Sequence, residues 1–509
     1  RWLTDPRFKD DISRGDNGAV VSERMARWCA QYSTAQALEI LGKAKLPAGP
    51  VLKPQQTLDD PHIQAMKFFQ PLDFPGMARP APVAKAPVWL TQTPGSIRHR
   101  APTLGEHTAA VRSGIERIEA RTRVDAPDDP APTGASPSWG PLRGVRVLDL
   151  SQWLAGPAAA ALLGDFGADV IMVELPSVAA DAQGRRSPGF VVTNRNKRSV
   201  TLDVRAPRGR EAFLELVRVS DVIVENFRPG TLERWDLAPA TLLAANPRLV
   251  LLRSSGFGQS GPYTGRAAFN PVGLAFGGIT YLNGWPDRPP LRDGVMGGDY
   301  STALFNVLGM MAALLRRDVD GQGQVVDTAM FQAALRLTGD LLAVRSALGI
   351  RRERAGGESP LYPASLTVEA ADGCFVATSA PSWHDVSVAL AQLGRRPPDD
   401  PASVREDVAK LVGALPAAEA VTTLRGAGLA ASAVNSVADL VREPHCWSRG
   451  DLVRLAHPEM GEIVTQGIVP SLSRTPGRVA GWSPRPGSDN EAVFGGLLGY
   501  PAERIQEIG

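Results

Sequence analysis

Three short polar clusters in this sequence each follow an aliphatic run and carry groups suited to holding a ligand: Ser151-Gln152-Trp153-Leu154, Glu225-Asn226-Phe227 and Ser254-Ser255-Gly256. The runs before them, at 145–150, 220–224 and 249–253, read as short buried strands. In an open parallel sheet ligands bind beyond the carboxyl ends of the strands, so the three clusters are expected to line one crevice. No Gly-x-Gly-x-x-Gly follows the first run and no P-loop glycine-lysine pattern occurs, which argues against a nicotinamide enzyme and a P-loop ATPase. Cys29, Cys374 and Cys446 are scattered, form no Cys-x-x-Cys pair and leave one over, so neither a disulfide framework nor a zinc site is expected.

The elements that must position these clusters follow a β-α-β rhythm. Gly156-Pro157 followed by Ala158-Ala159-Ala160-Ala161-Leu162-Leu163 predicts a turn leading into a helix, and residues 167–174 predict a second strand ending in Glu174. The pattern predicts an α/β chain with an open, mostly parallel, Rossmann-like large domain. A long apolar helix is expected from Thr328 to about Leu348. Beyond it the composition shifts, and residues 360–440, with a strand candidate at 374–378 and alanine-rich helices, predict a smaller α+β domain. The segment from Pro444 to 509 is expected to return to the large domain with 141–350.

The chain also aligns with itself. An offset of 383 residues brings Asp60-Pro61-His62 onto Glu443-Pro444-His445 and Pro75-Gly76-Met77 onto Pro458-Glu459-Met460, and after a one-residue slip Leu90-Thr91-Gln92-Thr93-Pro94-Gly95 meets Leu472-Ser473-Arg474-Thr475-Pro476-Gly477. A period this long implies duplicated domains rather than a solenoid of short repeats. Residues 123–140 are proline-rich, acidic and without apolar periodicity, the composition of a semi-extended linker. The expected organisation is therefore the C-terminal portion of a first copy (1–122), a linker (123–140) and a complete second copy (141–509). Arg1 stands where a start would have Met, and Pro6-Arg7-Phe8 reads like the middle of a domain, so a truncated N-terminus is expected.

Lys and Arg number 55 against 53 Asp and Glu, a net charge of +2 that argues against a global nucleic-acid or acidic-surface role while leaving room for a local basic pocket. No stretch approaches the ~18 uninterrupted apolar residues of a membrane span, and the first residues lack a signal-peptide pattern. A soluble, cytoplasmic protein with no metal and no membrane or nucleic-acid partner is expected.

Five ordered motifs carry a resemblance: Gly144-Val145-Arg146-Val147-Leu148-Asp149-Leu150 with Ala155-Gly156-Pro157; Asn194-Arg195-Asn196-Lys197-Arg198-Ser199; Asp221-Val222-Ile223-Val224-Glu225-Asn226-Phe227-Arg228-Pro229-Gly230; Gly256-Phe257-Gly258-Gln259-Ser260-Gly261-Pro262-Tyr263; and Gly321-Gln322-Gly323-Gln324-Val325-Val326-Asp327. Their order and spacing resemble the family III coenzyme A transferases, which include the formyl-CoA:oxalate and carnitine enzymes and the α-methylacyl-CoA racemases. The resemblance implies transfer of CoA between an acyl-CoA thioester and a carboxylic acid, with CoA as substrate and no tightly bound cofactor. It places the catalytic aspartate on Asp299, within Gly297-Gly298-Asp299-Tyr300, where a carboxylate nucleophile would form aspartyl anhydride and aspartyl-CoA intermediates. The competing reading makes Asp299 the N-cap of a helix beginning near Tyr300. For CoA the resemblance points to Gln152, Trp153, Leu154, Leu202, Asn226, Phe227 and Arg234; an arginine suits the phosphates and an aromatic ring the adenine face. It further implies subunits that interlock as a homodimer, or an intramolecular pseudo-dimer where two copies share one chain.

Two departures qualify that picture. The family often has Arg soon after the glutamate of the second strand, where this chain has Leu175-Pro176. Racemases of the family carry His-Asp where this chain has Phe269-Asn270, and Phe cannot serve as an acid/base partner, so a racemase-like isomerase is the weaker enzyme alternative. The first copy retains no nucleophile, which leaves a catalytically inactive fragment as the non-enzymatic alternative. Acyl specificity is expected from the segment around Glu358-Ser359-Pro360-Leu361-Tyr362 and from the partner copy.

Overall fold

The computed structural model describes residues 2–73, 78–97, 100–101, 103–104, 106, 108–109, 139–176, 188–357, 364–395, 400–457 and 459–508. All of the expected linker but Trp139 and Gly140, and the expected specificity segment 358–362, lie outside the described residues. Two compact units emerge: 1–281 with 293–351 and 483–509, and 282–292 with 352–482.

The strands run β1 (Phe69–Leu72), β2 (Ala81–Ala84), β3 (Trp89–Leu90), β4 (Arg146–Asp149), β5 (Asp169–Glu174), β6 (Lys197–Thr201), β7 (Val222–Glu225), β8 (Val250–Ser255) and β9 (Gln324–Ala329) in the larger unit. In the smaller unit they are β10 (Ala364–Glu369), β11 (Phe375–Ala380), β12 (Ala430–Ala433), β13 (Leu452–His457) and β14 (Gly461–Gln466). The central sheet has seven strands in the order β3-β9-β8-β7-β4-β5-β6, parallel throughout except for β3 at its edge. Counted from β4, the parallel strands follow the doubly wound order 3-2-1-4-5-6, so the topological switch point lies between β4 and β7. The Rossmann-like large domain expected from the sequence is present.

Both faces of this sheet are covered, so β5, β7 and β8 carry consecutive apolar residues without alternation. One face packs on Phe213, Leu216, Val493 and Phe494. The other packs on the helices Ala155–Asp165 and Gly297–Asp320, which also touch each other. Helix Ala155–Asp165 is buried around nearly its whole circumference, and its run of alanines lets it fit between sheet and neighbour. Buried charges around it are paired: Lys197 Nζ donates to Asp149 at 2.7 Å, and Arg195 to Asp165 at 2.7 Å. The region expected as one helix from Thr328 is instead the end of β9 followed by helices Met330–Leu337 and Leu341–Leu348, interrupted where Gly339 takes a positive φ of 63°.

Parts of the N-terminal segment join the larger unit: Leu52, Ile63, Phe68 and Phe69 pack with Phe257, Phe276 and Phe331. Trp89 and Leu90 pair antiparallel with Asp327 and Val326 of β9, closing the sheet edge. His62 is wholly buried in a cluster with Phe257, Phe276 and Phe331. Its Nε2 lies 2.7 Å from the Phe257 carbonyl and its Nδ1 accepts from the Tyr263 N–H at 3.2 Å, an arrangement that requires the neutral ring.

The smaller unit contains the antiparallel sheet β10-β11-β12 backed by helices Trp383–Gln392, Pro401–Gly413 and Ala417–Gly426, with a core of Val404, Val408, Leu411, Leu424 and Val376. Residues 444–482, which the sequence pattern assigns to the large domain, cluster with this unit. Several elements recur at the 383-residue offset. Helix Thr34–Lys43 corresponds to Ala417–Gly426, helix Pro61–Ala65 to Pro444–Ser448, and hairpin β1-β2 to β13-β14.

Candidate active site

The chain leaves β4 through Asp149, which accepts from the Ser151 N–H at 2.9 Å while Lys197 holds its other oxygen. Residues 151–154 then cross the switch point before helix Ala155–Asp165 begins. Across the crevice, Asn226 after β7 fixes this turn: its Oδ1 accepts from the Gln152 N–H at 2.8 Å and its Nδ2 donates to the Gln152 carbonyl at 2.6 Å. Gly156 makes the approach possible, since a Cβ there would lie 2.3 Å from the Ser151 Cβ and 3.2 Å from the Asn226 Cγ. Trp153 is held at a φ of +67°, a strained conformation for an aromatic residue, and is 77% exposed, its ring and that of Phe269 forming a T-shaped pair with centroids 5.5 Å apart. Glu225 accepts from the Phe227 N–H at 2.8 Å and is itself bound by Arg253 at 2.8 Å; burial pushes its carboxyl up while Arg253 opposes the shift.

Two cavities meet at this turn. One, of about 290 Å³, runs under Gln152 and Trp153 past Leu202, Phe227, Phe190 and Trp235. The second, of about 340 Å³, shares Gln152, Trp153 and Phe227 and continues past Asn226 to Phe269. The structure thus gathers Gln152, Trp153, Leu202, Asn226 and Phe227 around connected space. Leu154 and Arg234 line neither cavity: Leu154 precedes the helix and packs into the core, and the Arg234 guanidinium donates to Thr231 Oγ1 at 2.8 Å. Among the described residues no group of three or more His, Cys, Asp or Glu side chains converges to hold a metal ion, and no helix is long and apolar enough to cross a membrane.

Asp299 is the third residue of helix Gly297–Asp320 and is not its N-cap. The capping comes from elsewhere: Asp293 accepts from the Gly297 N–H at 3.0 Å, and Asn270 Oδ1 accepts from the Gly298 and Asp299 N–H groups at 2.7 and 3.2 Å. The Asp299 side chain is therefore free of the capping duty and turns to the Ala155 N–H at the start of the helix that follows the Gln152 turn. Burial pushes its carboxyl up to about 6, opposed by the Ala155 N–H and assisted by the nearby charge of Asp293. Asp299 lines neither cavity; facing the start of the helix after the Gln152 turn, a half-buried carboxylate of this basicity has the character of a nucleophile toward an acyl group. Sequence reasoning did not find Asn270 in its capping role, Asp293 or the Ala155 N–H; the only signal was Asn270 standing next to Phe269 where a related enzyme type has acid/base residues.

The profile of CoA-transferase family III matches residues 1–108 and 142–490. The chain is 37% identical over 386 residues to the succinyl-CoA–D-citramalate CoA-transferase of Chloroflexus aurantiacus, covering 72% of this chain and 96% of that protein. It is 32% identical over 399 residues to the formyl-CoA:oxalate CoA-transferase of Streptomyces coelicolor, covering 72% and 97%. A crystal structure of a CAIB/BAIF family protein from Brucella suis superposes with a TM-score of 0.63 at 28% identity, covering 70% of this chain and all of that one. With its doubly wound sheet and a crevice at the switch point, the chain belongs to CoA-transferase family III, enzymes that move coenzyme A between an acyl-CoA thioester and a carboxylic acid.

Proposed function

We propose that Asp299 is the nucleophile of this transfer. Its carboxylate attacks the thioester carbonyl carbon and the C–S bond breaks, leaving an aspartyl acyl anhydride and the CoA thiolate. The thiolate attacks the aspartyl carbonyl carbon and expels the acyl group as a carboxylate, which leaves an aspartyl-CoA thioester. The acceptor carboxylate attacks that thioester, and the released thiolate then attacks the acceptor's acyl carbon to give the new acyl-CoA and free Asp299. The observation that carries this reading is the Asp299 carboxyl itself: released from capping, half-buried, and drawn to the Ala155 N–H at the edge of the Gln152 turn.

In the same reading CoA lies along Gln152, Trp153, Leu202, Asn226 and Phe227, with its adenine against the Phe227 and Trp235 rings, which stand edge to face at 5.0 Å. Arg234, exposed on a short helix, donates to Thr231 Oγ1 through one guanidinium nitrogen, and its other N–H groups suit the phosphates. Leu154 supports the turn from beneath. Phe269 offers no proton to exchange, so transfer is favoured over racemisation.

The test is to incubate the protein with a panel of acyl-CoAs starting from succinyl-CoA and formyl-CoA, with citramalate and oxalate as first acceptors. Quenching with hydroxylamine and mass spectrometry of the Asp299 peptide follow, beside Asp299→Ala. Modification at Asp299 that the variant lacks supports the nucleophile and names the donor; an unmodified Asp299 in a folded, CoA-binding protein overturns it.

We also infer that residues 1–122 and 141–509 derive from two copies of one fold joined by the linker 123–140, and that the copies pair. The recurrence of helices and hairpin at a 383-residue offset supports the duplication. The buried seat of His62 beside Phe257, against the exposed position of its counterpart His445, supports pairing: the later segment carries the same docking element without a seat of its own. Light scattering on the purified chain reports this directly, a discrete dimer being expected and a strict monomer telling against an open docking element.

A further inference from the structure

The first turn of a helix leaves its N–H groups without intrahelical partners, and the residue before the helix normally supplies the acceptor. At helix Gly297–Asp320 that residue is Met296, which supplies none. We propose that Asn270 is a positioning residue for the nucleophile: its amide oxygen caps the first turn from outside the helix and so fixes the backbone from which the Asp299 carboxylate reaches the Ala155 N–H. The proposal rests on the reading of Asp299 as nucleophile.

The geometry is closely constrained. Asn270 is 5% exposed and opens helix Asn270–Phe276, with Pro271 stiffening the backbone directly after it. A single oxygen accepts both the Gly298 N–H at 2.7 Å and the Asp299 N–H at 3.2 Å. Gly298 is what allows the oxygen so close, because a Cβ at that position would lie 2.8 Å from it and 3.2 Å from Leu274 Cγ. With Asp293 on the Gly297 N–H, the three N–H groups of the first turn are all accounted for.

The choice of an amide has a consequence for charge. A carboxylate at 270 would accept the same two N–H groups, and more strongly, but would put another negative charge beside Asp299, which already faces Asp293 from the preceding loop. The helices packed there offer little to compensate. Helix Ala155–Asp165 presents its Ala155 N–H and has its one charged residue, Asp165, at the far end; helix Asn270–Phe276 has no charged residue; helix Met330–Leu337 has Arg336 alone, exposed near its C-terminal end. Asn270 therefore holds the helix start while sparing the nucleophile a further upward push.

The experiment compares the full chain with Asn270→Asp, Asn270→Leu and, as control, Asp299→Asn. The Asp299 carboxyl is titrated by NMR in protein labelled with carbon-13 at aspartate carboxyls, its signal assigned by absence in Asp299→Asn. In Asn270→Asp the titration is expected to move up by about one pH unit, with the acid limb of turnover moving alongside. In Asn270→Leu, kcat is expected to fall at least about tenfold while KM for the thioester stays within about twofold, the mark of a misplaced group. An unmoved titration in Asn270→Asp, or full kcat in Asn270→Leu, overturns the proposal; should Asn270→Leu not fold, the isosteric Asn270→Asp decides alone. An active Asp299→Asn instead overturns the nucleophile reading, whatever the titration does.

Discussion

Asn226 holds the Gln152 peptide from both sides, accepting its N–H at 2.8 Å and donating to its carbonyl at 2.6 Å across 74 residues of sequence. The two hydrogen bonds join the loops after β4 and β7, the two strands that flank the switch point, and give the crevice a fixed width. Asn226→Ala removes both and leaves the Gln152 peptide to solvent. A loss of about 1–2 kcal/mol in stability is expected, together with a rise in KM for acyl-CoA larger than the fall in kcat. Urea denaturation and steady-state kinetics measure the two effects, and an unchanged KM would show that the crevice does not depend on this clasp.

Asp299 sets function against stability. Its carboxyl is raised to about 6 from an ordinary value near 3.8, chiefly by burial, so the folded state favours the protonated form. The associated stability is fully present below the unfolded value and is lost as pH rises through about 6. Asp299→Asn keeps the shape without the charge. Its melting temperature is expected to exceed that of the parent protein at pH 7.5, by on the order of 2 kcal/mol of stability, and to approach it near pH 4. Turnover of the parent should fall on the acid side with an inflection near pH 6. An acid limb unrelated to Asp299 would leave this inflection in place when the titration of Asp299 is shifted.

Lys197 and Asp149 form a wholly buried pair at 2.7 Å, and Lys197 also donates to the Pro157 carbonyl at 3.0 Å and Asn194 Oδ1 at 2.9 Å. Burial pushes the lysine down and Asp149 opposes the shift. Because Asp149 also receives the Ser151 N–H, the pair is the footing of the Gln152 turn. Lys197→Met strands a buried carboxylate and is expected to cost about 3–5 kcal/mol, read by thermal or denaturant unfolding. Adding Asp149→Asn should recover part of the loss, since the cost lies in the unpaired charge; a double variant no better than the single one would refute that account.

Four of the six parallel strands, β4, β5, β7 and β8, were legible in the sequence because burial on both faces leaves them aliphatic runs, whereas β6 (Lys197–Thr201) and β9 (Gln324–Ala329) stood only inside motifs because their polar residues mask the pattern. Lys197 and Arg198 stood out only as part of a motif; that Lys197 bonds Asp149 is a contact between residues 48 apart, and no local pattern encodes it. The same holds for Asn270, which caps a helix beginning 27 residues later. The helix expected from Thr328 failed at its start because the apolar run of a fully buried strand passes into a buried helix without a change in composition. Residues 444–482 were assigned to the large domain on sequence order, whereas a hairpin such as β13-β14 can pack wherever its few apolar residues find a face.

His62 ties the N-terminal segment to the sheet, and its burial makes that tie sensitive to acid. The ring is neutral, with Nε2 at the Phe257 carbonyl and Nδ1 accepting the Tyr263 N–H, and its pKa is lowered first by burial; Arg266 adds to the lowering, while Asp60 and the Phe257 carbonyl oppose it. A depressed histidine contributes stability above its unfolded value, near 6.5, and that contribution is lost as pH falls below it. Because β3 lies in the same segment, its pairing with β9 is expected to loosen as the ring charges. Hydrogen exchange of the Thr91 amide, which donates to the Val325 carbonyl at 3.1 Å, should quicken between pH 6.5 and 5 beyond the ordinary pH dependence of exchange. His62→Phe retains a ring among Phe257, Phe276 and Phe331 but cannot charge, so it should abolish the extra acid sensitivity. It should also open the same amide at neutral pH by about 1–3 kcal/mol, because the Tyr263 N–H loses its acceptor. Equal acid sensitivity in the parent and in His62→Phe would move the origin of any loosening away from this histidine.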